Sequence, residues 1–80
     1  MNVKDAVVER FTELMRIKKM HPNELANLSG ITPSTVYSML DSRRKEVSIN
    51  VIKKLCDGLD ISLGEFFNVP LFNNLEQELK

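Results

Sequence analysis

The chain has few of the residues on which chemistry is usually built. Its eighty residues include one cysteine, Cys56, so no internal disulfide can form. They include one histidine, His21, so no cysteine–histidine zinc set exists. Tryptophan is absent, glycine and proline occur three times each, and no glycine-rich phosphate loop can be found. No apolar run approaches the roughly 18 residues of a membrane-spanning helix. The opening stretch MNVKDAVVER carries charges too early for a secretory signal peptide. Long alternating runs of β-branched residues are missing, and with them the signal for strands. These absences predict a small all-α domain in a reducing cytoplasm, with one modest core and no membrane partner. They also predict no metal, no cofactor, no small-molecule ligand and no catalysis. A Cys56–His21 pair is the one nucleophilic arrangement left, and Cys56 falls on an apolar stripe, where a cysteine reads as core.

Net charge is absent too, with 11 Lys/Arg against 11 Asp/Glu. The zero conceals an asymmetry. Residues 1–45 carry eight basic and five acidic side chains, and residues 46–80 carry three basic and six acidic. A basic face needs no basic pI, so a nucleic-acid partner stays open.

What is present is a repeated grammar of helix starts and stops. Val7, Phe11, Leu14 and Met15 keep a helical period, with acids at the front and Lys18 and Lys19 at the back, and predict a first helix over about 4–19. In MHPNELANLSG, Pro22 suits the first position of a second helix, with Leu25, Ala26 and Leu28 as its apolar face. Gly30 ends it by taking the left-handed conformation. Thr32 then caps a third helix that Pro33 opens, with Val36, Met39 and Leu40 inward and Ile31 stapled to Val36. Ser48 caps a fourth helix, whose stripe is Ile49, Ile52, Leu55 and Cys56 and which Gly58 stops. Ser62 caps a fifth, with Glu65 completing a capping box. The expected organisation is a domain over 1–67 and a tail over 68–80. In the tail, Leu71, Leu75 and Leu79 are spaced for a possible sixth helix, which either packs back on the domain or serves a dimer.

Two short helices joined by a three- or four-residue turn containing glycine describe a helix-turn-helix, whose second helix enters the DNA major groove. LANLSGITPSTVYSML supplies the parts: Ala26 where the helices approach, Gly30 in the turn, Ile31 anchoring it. The third helix adds a face of short polar groups. With SINVIKKLCDGLDISLGEFF following at the right distance, the chain resembles the Xre/Cro-type, lambda-repressor-like helix-turn-helix domains of phage repressors and small bacterial regulators. The likeness covers about residues 7–67.

This resemblance implies a five-helix fold and sequence-specific binding of double-stranded DNA, commonly by a homodimer on a palindromic operator. It further implies a role for Pro33, Ser34, Thr35, Tyr37 and Ser38 at the bases. Thr32, the loop residues Arg43, Arg44 and Lys45, and Ser48 and Asn50 at the start of the fourth helix would meet phosphates. If the chain dimerises, the fifth helix and the tail are the expected surface, with Phe67, Val69, Leu71 and Phe72 as candidates. The chain also departs from the family's pattern. Pro22 stands where a glutamine usually touches a phosphate, Pro33 where another reader is common, and Leu40 near a frequent glutamate. Each removes a polar contact. They keep a second reading open, that of a protein-interaction or antitoxin-like module with weak or no DNA binding of its own.

Overall fold

Each of the five α-helices among the described residues begins where a side chain satisfies a backbone donor that has no acceptor within the helix. The computed structural model describes residues 1–77. In it α1 (Val3–Ile17) starts on a capping box: Asn2 accepts from the Asp5 N–H at 2.8 Å, and Asp5 accepts from the Asn2 N–H at 3.3 Å. At α2 (Pro22–Ser29) the Glu24 carboxylate accepts from the His21 N–H at 3.1 Å. Thr32 accepts from the Thr35 N–H to open α3 (Pro33–Leu40), and Ser48 accepts from the Val51 N–H to open α4 (Ile49–Gly58). Ser62 and Glu65 form the expected reciprocal pair at α5 (Leu63–Phe67). There is no strand among the described residues.

The core draws on all five helices. Phe11, Leu25, Val36, Leu55 and Phe66 are wholly shielded from solvent. The Phe11 and Phe66 rings lie 4.4 Å apart and tilted by 39°, which ties the first helix to the last. Ala26 and Cys56 are equally buried. Burial, together with Asp57, pushes the Cys56 thiol up to about 11, so at neutral pH it is a protonated apolar filler. Arg10 adds a polar tie between the same two helices. Its guanidinium donates to the Phe66 carbonyl at 2.8 Å and the Glu65 carbonyl at 3.1 Å, where the end of α5 leaves acceptors free.

Three local expectations need correction. The first helix ends at Ile17, not 19, because Lys19 adopts a left-handed φ of 53°. Gly58 is the last residue of α4, as expected, and the positive φ of 59° that follows falls at Asp60. Glycine is required at position 58 for another reason: a Cβ there would lie 2.1 Å from Ser29 Oγ, at the end of α2. Leu28 and Ile49, both assigned to apolar faces, are 60% and 56% exposed. In short helices the period tolerates one extra apolar residue beyond the buried arc.

The tail makes a single 3₁₀ turn over Pro70–Asn73 in place of a sixth α-helix, and Leu79 lies outside the described residues. It packs back on the domain. The Phe72 ring meets Phe67 at 4.9 Å and Phe66 at 5.8 Å. The N-terminal ammonium pairs with Glu76 at 2.8 Å, while the Glu76 N–H donates to the Met1 carbonyl.

Candidate nucleic-acid interface

The joint between α2 and α3 is three residues long. Gly30 takes a φ of 70° at the end of α2, and the Ile31 N–H returns to the Ala26 carbonyl at 3.1 Å. Ile31 packs against the core, which fixes the direction in which α3 leaves the turn. Val36 and Met39 are buried beneath α3. The opposite face carries Ser34 and, one turn on, Ser38, flanked by Tyr37 and Thr35. Tyr37 is half exposed and Pro33 is exposed at the first helical position. Pro33 brings no backbone donor.

The hydroxyls at the start of α3 are linked to one another. Thr32 Oγ1 lies 3.1 Å from Ser34 Oγ and 2.9 Å from Thr35 Oγ1, and it also accepts from the Thr35 N–H at 3.3 Å. The hydroxyls expected at the site are therefore tied into the cap of α3. A hydroxyl has one donor and two acceptor sites, so Ser34 and Thr35 keep capacity for a further partner, whereas the three contacts of Thr32 fill its own.

The loop after α3 brings up the three consecutive cations. Arg43, Arg44 and Lys45 are all exposed. They are not equivalent. Asp41 accepts from the Arg43 backbone N–H at 3.0 Å and from its guanidinium at 3.1 and 2.9 Å. That pairing holds the Asp41 carboxyl down at about 2, through the side-chain bond first and the backbone bond second. The pair is open to water, so a phosphate can compete for the guanidinium. The Arg44 side chain makes no hydrogen bond within the described residues.

A groove of about 190 Å³ joins these elements: Thr35 and Ser38 from α3, Arg44 from the loop, Ser48 and Val51 from α4. Ser34 and Arg43 lie outside its lining, and Glu46 lies within it. Asn50 is exposed at the second residue of α4. The N–H groups of Ile49 and Asn50 have no acceptor inside the helix at these positions. Sequence reasoning missed Asp41 as the holder of Arg43. The signal was there, because an aspartate two residues before a turn residue commonly accepts its N–H. It also missed Glu46, which carries no local signature.

Among the described residues no group of three or more His, Cys, Asp or Glu side chains is placed to hold a metal. No helix among them is long and apolar enough to cross a membrane.

Comparison with known proteins agrees with this geometry. The family model for the Cro/C1-type helix-turn-helix DNA-binding domain matches residues 10–70. Among solved structures, the crystal structure of the prophage Lp1 protein 11 aligns with a TM-score of 0.80 at 34% identity, covering 94% of this chain and 100% of that one. No curated protein matches the chain.

Proposed function

The chain belongs to the Cro/C1-type helix-turn-helix DNA-binding domain family, and on that premise we propose that it is a cytoplasmic, repressor-type transcriptional regulator. It binds duplex DNA sequence-specifically, as a homodimer on a palindromic operator, without cofactor or catalysis. α3 enters the major groove with Ser34, Thr35, Tyr37 and Ser38 toward the bases and Pro33 against them. Thr32, Arg43, Arg44, Lys45, Ser48 and Asn50 meet phosphates.

The observation that carries this reading is the groove shared by Thr35, Ser38, Arg44 and Ser48. It brings three successive elements, α3, the loop after it and the start of α4, to one edge where a base-contacting helix would meet the sugar–phosphate backbone. Phosphate contacts dominate affinity and base contacts set preference, so the two sets are separable by mutation. Arg44→Ala weakens binding to all duplexes alike and lowers the log–log salt slope by about 0.9. Ser34→Ala leaves that slope unchanged and alters preference at one position by roughly fivefold, the worth of one hydrogen bond. The reverse pattern overturns the assignment of roles.

For the dimer, Phe67 and Phe72 are committed to the chain's own core, which leaves Val69 and Leu71 as the apolar residues of that surface. The second reading, an interaction or antitoxin-like module, draws on two specific features. Glu46 places an acid in the groove, and Asp41 occupies Arg43.

A further inference from the structure

Lys4 is the one charged side chain among the described residues that is buried, at 3% exposure. Burying an ammonium is costly unless its donors are satisfied. Here they are aimed at two backbone carbonyls far along the chain. Nζ donates to the Asp41 carbonyl at 3.1 Å and to the Arg44 carbonyl at 3.0 Å. Asp41 is the residue that closes α3, so its carbonyl lies at the negative end of that helix, where a cation is favoured. The Arg44 N–H also donates to the Asp41 carbonyl, at 3.1 Å. Asp41 and Arg44 are thus the two ends of one turn, closed once by its own backbone and a second time by an ammonium reaching in from α1.

We propose that Lys4 is a positioning residue for DNA binding: its ammonium clamps the Asp41–Arg44 turn and so sets where Arg44 stands relative to α3. The inference rests on the proposed DNA-binding reading, in which Arg44 meets a phosphate. Lys4 is not itself a contact residue, because its ammonium is turned to the two carbonyls and shielded from solvent. It acts through the placement of Arg44. A lysine is suited to this work because it carries no acceptor, so all its donors can serve carbonyls, and its stem is long enough to cross from α1.

The test is a double-mutant cycle on the full chain, using Lys4→Met, Arg44→Ala and the combination, with a randomised-sequence duplex as the probe. Methionine keeps an unbranched apolar stem and removes the ammonium. The clamp predicts that Lys4→Met lowers the log–log salt slope by about 0.9, as loss of one phosphate contact does. It predicts that Arg44→Ala then adds no further loss in the Lys4→Met background. A residue that merely stabilises the fold would lower the melting temperature and leave the two losses additive, and that result overturns the proposal. Hydrogen exchange of the Arg44 amide provides the second measurement. It should rise about tenfold or more in Lys4→Met while the amides of Leu55 and Cys56 keep their protection. If the unmutated protein fails to bind any duplex, the DNA reading fails by itself. The exchange result then decides the clamp: an unchanged Arg44 rate overturns it, and a selective rise upholds it.

Discussion

Replacing Gly58 by alanine probes how closely α2 and α4 approach behind the helix-turn-helix. In an ordinary helical setting a glycine-to-alanine change stabilises by about 0.5–1 kcal/mol, because alanine loses less backbone entropy on folding. Gly58 has no positive φ, so conformation alone would allow that gain. Space does not. The added Cβ would sit 2.1 Å from Ser29 Oγ, 3.1 Å from the Ser29 nitrogen and 3.2 Å from the Leu28 carbonyl carbon. The hydroxyl can rotate away, but the two backbone atoms move only if α2 moves. Overpacking of this kind costs about 1–3 kcal/mol, which exceeds the propensity gain. The expected net loss is about 1 kcal/mol or more, or roughly 4–8 °C in melting temperature for each kcal/mol in a domain of this size.

Ser29 sharpens the test. Its hydroxyl is buried without a partner, so Ser29→Ala should be neutral or stabilising by up to about 1 kcal/mol. It also removes the shortest collision. The double variant should therefore recover much of the Gly58→Ala loss, and the two effects should not add. Thermal and urea melts of the four proteins, followed by far-ultraviolet circular dichroism, measure this. A Gly58→Ala protein more stable than the parent, or strict additivity with Ser29→Ala, would refute the close approach.

Three further outcomes are expected. Gly30→Ala meets no atom within 4 Å, so its cost is that of the left-handed φ alone, about 1 kcal/mol, and Gly30→Asn should cost less; equal losses by urea melt would argue against this. Arg10→Met strands two helix-end carbonyls and should destabilise by about 2 kcal/mol in denaturant titration, whereas a loss below about 0.5 would contradict its bridging role. Asp41 has a folded pKa of about 2, below its ordinary 3.8. Its pair with Arg43 is thus fully formed at pH values above the ordinary one and is lost as pH falls through about 2. Carboxyl NMR titration should report that midpoint and its return toward 3.8 in Arg43→Ala.

The fold was legible because its punctuation is local. Thr32 before Pro33, Ser48 before Ile49 and Ser62 before Glu65 each state a helix start within four residues, and Gly30 states a stop. The caps therefore fell where the sequence placed them. What was not legible depends on partners far away. Gly58 reads as a stop signal, and its need for space shows only once Ser29 is seen across from it. Leu28 and Ile49 fit their helical periods, yet no neighbour covers them. Lys4 reads as one charge among several near the start of a helix, and only the turn 37 residues later explains its burial. For the site, the elements and their order were readable and the Asp41 turn had a local signal, whereas the place of Glu46 in the groove follows only from how the loop folds against α4.

The measurement that bears most directly on the account is selection from a randomised duplex DNA library at two salt concentrations, followed by the stoichiometry of the enriched complex. The account predicts a short palindrome, two chains per duplex, and affinity that falls with salt at a log–log slope of about −0.9 for each phosphate neutralised. Absence of any enriched sequence, with weak binding that vanishes at physiological salt, would contradict it and favour the interaction-module reading.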